Sequence, residues 1–422
     1  NNINEFISYF NLKNKYMLPF NKPYYNEKCI NNITETNKKG TQSGDGYYSK
    51  LIYKELNEKY NFKNSLLVPS CTHALEMMAL LLNIKKNDEI IIPSYTFVST
   101  ANAFAKYGAK IILVDSLHDN PNIDENLIEK HITTKTKAIC IVHYAGVACN
   151  IDKIVKICQR NNIILLEDAA QCIHSFYNGK PLGSFGAMSA FSFHETKNIN
   201  CGEGGLLVVN NEKFWERAHI IREKGTNRTK FINGEIDKYQ WIDIGSSYLL
   251  SDINAAYLYP QIEDIDNIIN YRKKCWKLYY SRLSSIPNKK FKLCQEYPGM
   301  NYHIFYLIFE NNSALQNMKK YLKDNNIMTT THYIPLHKSK YFINNYSNIE
   351  LPNSERFEKT LLRLPLFNNI TLDNINYICQ RIAISQPVIF NFHHNIKINN
   401  ISISKDFTDI YNKSRTMVCP HH

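Results

Sequence analysis

Short apolar runs alternate with amphipathic segments from about residue 60 to about residue 210. Helical spacing of apolar residues appears at 71–82, where Ser70 can serve as the N-cap, and at 150–162. Strands alternating with helices are typical of βαβ units, so the pattern predicts a large α/β domain whose mostly parallel sheet is covered on both faces. The strands are predicted at 89–93, 110–115, 137–144, 163–168, 187–193 and 205–210.

A second and smaller α+β pattern follows a long helical stretch at 251–283. It consists of a strand at 302–309, a helix at 313–325, a strand at 329–336 and then further helices. Pro260 interrupts the long helical stretch. A proline inside a helix removes one backbone hydrogen bond and costs about 3 kcal/mol, so we expect a kink there, near a domain boundary.

We therefore predict four parts of the chain. Residues 17–260 form the large domain and residues 261–385 form the small C-terminal domain. Residues 1–16, which precede Met17, are predicted to be an N-terminal addition. The Asn-rich, weakly periodic residues 386–422 are predicted to be a C-terminal tail of doubtful role, and we assign no chemistry to either end.

Composition narrows the class of protein. With 44% hydrophobic and 21% charged residues, the chain of 422 residues can build a full core. The net charge of +12 is scattered without a block of like charges, which argues against nucleic acid as a partner. No apolar run reaches the roughly 18 residues of a membrane span. The 11 cysteines are dispersed without a CxxC pair, which favours reduced thiols in a cytoplasm over disulfides or a metal site.

The segment FSFHETKNINCGEGG at 191–205 carries the first candidate for chemistry. An apolar strand ends here in a polar turn with Lys197, followed by glycines that permit close backbone approach. Partial burial near cations would lower the pKa of such a lysine and make its amine a nucleophile able to form a Schiff base. Most loop lysines are solvated, however, and GEGG is also a common turn.

Three further segments place polar or aromatic groups where a ligand could bind. Asp168 ends an apolar strand, at the sheet edge where α/β proteins bind ligands, although an aspartate there also commonly caps a helix. PSCTHALE at 69–76 is a turn into a helix whose N-terminus can receive a phosphate. Phe97 in PSYTFVST could stack on a cofactor ring or simply belong to the core.

The strings TFVSTAN, LLEDAAQ, FSFHETKN and GEGG occur in this order, and together they resemble the DegT/DnrJ/StrS sugar aminotransferases. The likeness runs from about residue 17 to about residue 385 and implies the pyridoxal phosphate (PLP)-dependent fold type I, similar to aspartate aminotransferase. Further strings are most similar to the subgroup that forms dTDP-4-amino-4,6-dideoxygalactose for enterobacterial common antigen. They are VHYAGVAC, REKGTNR, IGSSYLLSDINAAYL, HYIPLH and LLRLPLF.

The resemblance also implies roles for individual residues. Lys197 would bind PLP covalently, Asp168 would pair with the pyridine nitrogen, Gln171 would contact the ring hydroxyl and Phe97 would cover the ring. Ser192 and the backbone at Cys71 and Thr72 would hold the phosphate. Ser247 would reach the phosphate site of a neighbouring subunit in a homodimer. Relatives often carry asparagine at the position of Ser247 and arginine at the position of Leu249. His194 is expected to lie beside the cofactor without transferring protons.

The implied reaction moves an amino group from L-glutamate to C4 of dTDP-4-dehydro-6-deoxy-D-glucose. Related sugar dehydratases have histidine in place of the lysine, so Lys197 favours transfer. Alternatives are transfer to C3, formation of the C4 epimer, or a PLP-binding regulator or sugar-nucleotide binding module without turnover. A nicotinamide dehydrogenase also fits the α/β pattern, but no GxGxxG follows the first strand. No metal site is predicted.

Overall fold

The computed structural model describes residues 17–386. The predicted N-terminal addition and all of the predicted tail except Gln386 therefore lie outside the described residues. Residues 17–386 belong to one compact unit that contains two main sheets. The division into domains at residue 260 stays a prediction.

The larger sheet confirms the predicted α/β architecture. Its seven strands lie in the order β1-β9-β8-β5-β4-β2-β3, and β2, β3, β4, β5 and β8 run parallel to their neighbours within that group. A separate hairpin, β6 and β7, follows β5. The first nine strands are β1 (Ser65–Val68), β2 (Glu89–Pro93), β3 (Lys110–Val114), β4 (Thr136–Val142), β5 (Ile164–Asp168), β6 (Phe176–Tyr177), β7 (Lys180–Pro181), β8 (Met188–Ser192) and β9 (Gly205–Val209).

One strand of the larger sheet, β9, is antiparallel to both of its neighbours, β8 and β1. The segment 193–204 between β8 and β9 contains no helix. A connection between two parallel strands must cross over the sheet, usually through a helix. A loop without a helix instead joins strands that run in opposite directions. The sequence pattern did not predict β1, a run of four buried residues.

Helices pack on both faces of this sheet, as predicted. In β1, Leu67 belongs to one hydrophobic cluster while Leu66 and Val68 belong to another, because successive side chains point to opposite faces. The helices are α1 (Glu27–Lys39), α2 (Tyr47–Tyr60), α3 (Cys71–Leu81), α4 (Ser99–Ala105), α5 (Ile151–Asn161), α6 (Trp215–Arg222), α7 (Arg228–Ile232), α8 (Asp252–Glu263), α9 (Ile265–Ser284), α10 (Asn312–Asp324), α11 (Lys340–Asn345), α12 (Pro352–Thr360) and α13 (Leu372–Ile384).

The helical stretch at 251–283 breaks four residues later than the kink predicted at Pro260. Pro260 lies inside α8, and the chain turns at Asp264 before α9 begins. A proline leaves the carbonyl four residues earlier without its helical donor. That carbonyl, on Ala256, accepts instead from the Asn32 side-chain amide at 3.4 Å, so a tertiary contact offsets the lost bond.

The smaller sheet has four antiparallel strands in the order β10-β11-β13-β12. Both strands predicted for this region are shorter than expected. The carbonyls of residues 302, 303 and 304 accept hydrogen bonds from the side chains of Arg272 and Trp276 on α9, so they do not join a strand ladder. The strands are β10 (Phe291–Leu293), β11 (Tyr306–Phe309), β12 (Thr330–Thr331) and β13 (Leu361–Arg363).

No helix among residues 17–386 combines the length and the apolar character that crossing a membrane requires.

Candidate active site

A cavity of about 470 Å³ opens where β5 and β8 end and α3 begins. Seven of the eight predicted site residues line it: Lys197, Asp168, Gln171, Ser192, Cys71, Thr72 and Phe97. The carboxyl ends of parallel strands meet at one sheet edge, which explains why strand-end residues distant in sequence come together here.

Lys197 lies in the loop after β8 and extends into the cavity. Its backbone N–H donates to the carbonyl of His194 at 2.9 Å, which closes the turn that presents the side chain. The ammonium group has neither a hydrogen bond nor an ion pair within residues 17–386. Burial lowers the pKa of Lys197, and the charge of Arg363 lowers it further, although Cys71 and Asp168 oppose the shift. A lysine in this state offers a larger fraction of neutral, nucleophilic amine than a solvated one.

Asp168 ends β5 and is 5% exposed. Thr100 Oγ1 donates to Asp168 Oδ2 at 2.7 Å, and the backbone N–H of Ala170 donates to Oδ1 at 3.1 Å. Burial raises the pKa of Asp168, while these hydrogen bonds and the Lys197 charge lower it. No cation forms an ion pair with this carboxylate in the described part of the chain. A buried carboxylate with that environment suits a cationic group supplied by a ligand.

The start of α3 provides donors for an anion. Ser70 caps the helix through its Oγ, which accepts from the backbone N–H of His73 at 3.2 Å. The backbone N–H groups of Cys71 and Thr72 have no acceptor among residues 17–386, as expected for the first turn of a helix. The Thr72 hydroxyl lies 2.8 Å from the Ser99 hydroxyl, and Ser192 lines the same part of the cavity. Exposed N–H groups, hydroxyls and the positive end of the helix dipole together fit a phosphate.

Gly205 makes this arrangement sterically feasible. A Cβ on this residue would lie 2.4 Å from the carbonyl carbon of Ser70 and 2.5 Å from the backbone nitrogen of Cys71. The first residue of β9 therefore packs directly against the peptide that opens α3, and only glycine fits. This close contact explains why the last residue of GEGG, Gly205, is a glycine.

Gln171 and Phe97 form part of the cavity wall. Gln171 Oε1 accepts from the backbone N–H of Ala145 at 2.6 Å, and its Nε2 donates to the Tyr333 hydroxyl at 3.3 Å. Phe97 is 57% exposed, so it is not a core residue, and its ring centroid lies 6.2 Å from that of Tyr333. Its exposed face is available to cover a flat ligand.

Ser247, the eighth predicted residue, does not line this cavity. It is exposed in a loop after α7, where its backbone forms a bridge with Glu223. Its predicted role concerns the site of a second subunit and stays a prediction. His194 does line the cavity; its Nδ1 lies 2.9 Å from the Thr196 hydroxyl and its Nε2 lies 3.6 Å from Glu203.

The structure adds residues that the sequence interpretation did not single out. Arg363, His332 and Tyr333 come from the smaller sheet and the loop beside it. They lie in HYIPLH and LLRLPLF, two strings that carried the resemblance, but no spacing rule assigned them to the site. The additional lining residues include Phe20, Asn21, Thr96, Ser99, Glu203, His303, His332, Tyr333 and Arg363.

The residues of the cavity fit PLP by their chemistry. The group is an aldehyde with a phosphate and a basic ring nitrogen, and the cavity offers an unpaired amine, an anion site with free donors, and a buried carboxylate without a cation. Each polar part of the cofactor thus has a complementary group in one enclosed space.

Comparisons with known proteins agree with this chemistry. A family model described as the DegT/DnrJ/EryC1/StrS aminotransferase family matches residues 23–383. An uncharacterized protein of Methanocaldococcus jannaschii is 30% identical over 373 residues, which cover 86% of this chain and 96% of that protein.

Solved structures share the fold at low sequence identity. Helicobacter pylori PseC, an aminotransferase involved in the biosynthesis of pseudoaminic acid, is 24% identical with a TM-score of 0.80, covering 87% of this chain and 98% of that one. A putative sugar aminotransferase of Streptococcus pneumoniae is 22% identical with a TM-score of 0.81, covering 87% and 97%. DesV of S. venezuelae is 24% identical with a TM-score of 0.77, covering 87% and 98%.

The predicted fold type I, the PLP cofactor and the enzyme class are therefore confirmed. The chain belongs to the DegT/DnrJ/EryC1/StrS aminotransferase family and is a PLP-dependent aminotransferase.

Proposed function

We propose that the protein transfers the amino group of L-glutamate to C4 of dTDP-4-dehydro-6-deoxy-D-glucose. The products are 2-oxoglutarate and dTDP-4-amino-4,6-dideoxy-D-galactose, for synthesis of a surface polysaccharide such as enterobacterial common antigen or O-antigen. The observation that carries amino transfer is the unpaired Lys197 amine in one cavity with the buried Asp168 carboxylate. The choice of sugar and of stereochemistry rests on the matching strings.

Each predicted residue has a role in this proposal. Lys197 binds the cofactor, Asp168 pairs with its ring nitrogen, and Gln171 contacts its ring hydroxyl. Phe97 covers the ring. The backbone of Cys71 and Thr72 and the Ser192 hydroxyl hold its phosphate. When bound, PLP supplies an electron-withdrawing ring that stabilises negative charge on the carbon next to the transferred nitrogen.

The chain's own groups control the protons. Lys197 Nζ removes the proton from Cα of L-glutamate in the first half of the reaction and delivers a proton to C4 of the sugar in the second. The lowered pKa of Lys197 increases the fraction of neutral amine that can accept the proton. Enclosure of the amine in the cavity limits loss of the proton to bulk water.

A homodimer is part of the proposal. Ser247 lies in an exposed loop region whose neighbouring apolar side chains include Trp241, 79% exposed, and Ile244, 66% exposed. Large apolar side chains that remain in water are typical of a protein interface. We propose that this loop packs on a second subunit and brings Ser247 to that subunit's phosphate site.

A cytoplasmic location is also proposed. The cysteines among residues 17–386 are all free, and nearly all of them are buried. Dispersed, reduced thiols suit a reducing compartment.

Product analysis tests the function. The holoenzyme is incubated with L-glutamate and dTDP-4-dehydro-6-deoxy-D-glucose, and the product is examined by NMR; the 3-keto isomer is tested separately. We expect an axial amine at C4 from the 4-keto sugar and no product from the 3-keto sugar. An equatorial amine or a C3 product would refute the assigned regiochemistry. Absence of any glutamate-dependent spectral change would favour a PLP-binding regulator.

A further inference from the structure

His303, between β10 and β11, is a cavity residue for which the proposed residue roles leave no task. It is 5% exposed and lines the same cavity as Lys197. Its ring makes one hydrogen bond within residues 17–386, in which Nδ1 lies 2.8 Å from Asn198 Oδ1. Nε2 has no partner there and yet is not fully buried, so it is open to the cavity. Polar atoms of buried side chains normally have a hydrogen-bond partner, so this nitrogen points to a ligand that supplies one.

The contacts of Asn198 determine which ring nitrogen of His303 carries the proton. Nδ2 of Asn198 donates to the backbone carbonyl of Asn301 at 3.0 Å. A carbonyl can only accept, so the amide of Asn198 turns its nitrogen toward Asn301 and its oxygen toward His303. The amide oxygen also only accepts, so Nδ1 of His303 must be the donor. In the neutral ring Nε2 therefore presents a lone pair to the cavity and cannot donate.

Burial and nearby cations keep this ring neutral. Burial lowers the pKa of His303 well below its ordinary value, because an imidazolium would lose its hydration. The charges of Lys197, Arg272 and Arg363 lower the pKa further. Arg272 is also bound to the same segment of chain, since its Nη2 donates to the carbonyl of His303 at 2.7 Å. At neutral pH, Nε2 of His303 consequently remains a hydrogen-bond acceptor.

An acceptor that cannot donate distinguishes the ligands of the proposed reaction. The amine of L-glutamate is its reacting group, and its two carboxylates carry lone pairs that would repel the lone pair of Nε2. The ring nitrogen and ring hydroxyl of PLP already have proposed partners in Asp168 and Gln171. The keto sugar, in contrast, carries hydroxyl groups that can donate. A sugar hydroxyl is therefore the donor that matches His303.

The position of His303 indicates which hydroxyl it meets. Two ring carbons are bonded to the reacting C4 of the sugar: C3 carries a hydroxyl, and C5 carries the methyl group. His303 lies close enough to Lys197 for the charge of that lysine to lower its pKa. A group beside the reacting amine is matched by the hydroxyl beside the reacting carbon, which is the hydroxyl at C3.

We propose that Nε2 of His303 accepts a hydrogen bond from the C3 hydroxyl of the keto sugar, and that Asn198 is a positioning residue that fixes the tautomer of the ring. The inference rests on the proposed function and adds a residue that recognises the sugar next to the carbon that receives the amine.

Two variants of His303 separate the ligand contact from support of the loop that carries Lys197. Asparagine places an N–H donor near the position of Nδ1, so His303→Asn keeps the bond to Asn198 and removes the acceptor from the cavity. Glutamine places an oxygen near the position of Nε2, so His303→Gln keeps the acceptor and removes the bond to Asn198. The matched control is His174→Asn, because Nδ1 of His174 also has a single partner, the Tyr60 hydroxyl at 2.9 Å, but the residue does not line the cavity.

Steady-state kinetics of the holoenzyme compare these variants. The two substrates react in separate halves of the cycle, so each kcat/KM reports on one of them. His303→Asn is expected to lower kcat/KM for the nucleotide sugar about tenfold, the loss expected for one hydrogen bond whose partner stays unsatisfied. Its kcat/KM for L-glutamate is expected to stay within about twofold of wild type, as are both values for His174→Asn. His303→Gln is expected to stay within about threefold for both substrates. A loss in His303→Gln with none in His303→Asn would show that the ring only supports the loop, and would refute the contact.

Binding without turnover tests the contact independently of the reaction. Calorimetry measures binding to the holoenzyme of dTDP-6-deoxy-D-glucose, which has no keto group to receive the amine, and of its 3-deoxy counterpart. Wild type is expected to bind the 3-deoxy sugar about tenfold more weakly, whereas His303→Asn is expected to bind both within about twofold of each other. An equal preference for the 3-hydroxyl in wild type and His303→Asn would overturn the inference and leave the proposed function intact. The expected binding pattern without amino transfer to the 4-keto sugar would refute the proposed function alone.

Discussion

The contact between Gly205 and the start of α3 leads to a sharp prediction about cofactor binding. Gly205 opens β9, paired with Val68 of β1 on one side and Ser192 of β8 on the other. In Gly205→Ala the new Cβ would lie 2.4 Å from the Ser70 carbonyl carbon, 2.5 Å from the Cys71 nitrogen and 2.6 Å from the Ser70 oxygen. All three are backbone atoms, so no change of side-chain rotamer relieves the clash, and the helix and strand must separate.

The size of the effect follows from these distances. Non-bonded carbon atoms normally approach to about 3.5–4.0 Å, so the peptide that opens α3 must move by roughly 1 Å. Overpacking of this kind destabilises a protein by about 1–3 kcal/mol. The same movement displaces the N–H groups of Cys71 and Thr72 from an anion, and each hydrogen bond to a charged group is worth about 1.5–3 kcal/mol. We therefore expect Gly205→Ala to bind PLP about 10–100 times more weakly.

Gly202→Ala is the matched control, because it adds the same methyl group in the loop that leads into β9. Gly202 has a positive φ of 79°, but a Cβ there would meet nothing within 4 Å. This variant is expected to lose about 1 kcal/mol of stability and to bind PLP with wild-type affinity.

The assay is titration of each apo-protein with PLP, followed by absorbance, together with urea unfolding of the same samples. Wild-type PLP affinity in Gly205→Ala would refute the steric argument. Equal weakening in both glycine variants would show that general loop strain, and not the position of α3, controls binding.

Three further predictions concern the charged groups of the cavity. Lys197→Ala is expected to lose the borohydride-stable adduct with PLP, and retention of an adduct on another lysine would show that the assignment is wrong. Asp168→Asn is expected to fold and to retain some cofactor, but to lose at least about a hundredfold in turnover. The reason is that an ion pair at about 4 Å is worth up to about 4 kcal/mol. Near-native kinetics in this variant would contradict the pairing of Asp168 with the ring nitrogen. Covalent capture of PLP by the apo-protein is expected to accelerate as pH rises, because only the neutral amine reacts. The midpoint of this pH dependence is expected below the ordinary lysine pKa of 10.5. A midpoint at or above that value would show that burial does not activate Lys197.

Local patterns predicted most elements of the larger sheet. Hydrophobic runs and helical spacing are properties of neighbouring residues, so strands such as β5, with Asp168 at its end, were found within a residue or two. The positions of Lys197 in a turn and of Asp168 at a strand end likewise marked them as candidates, whereas their cofactor roles came from the resemblance. The placement of β1 beside β9 was not predicted, since strand pairing depends on partners far along the chain.

The composition of the cavity required the folded chain. Phe20 is distant in the sequence from His332 and Arg363, and no periodicity links the three residues. They nevertheless form one cluster in the folded chain. The same reason applies to Pro260, since the side chain that donates to the carbonyl left free by the proline belongs to Asn32, far away in the sequence. Hydrophobic period is encoded locally and can be read along the chain, whereas packing and charge pairing arise between segments that meet only when the protein folds.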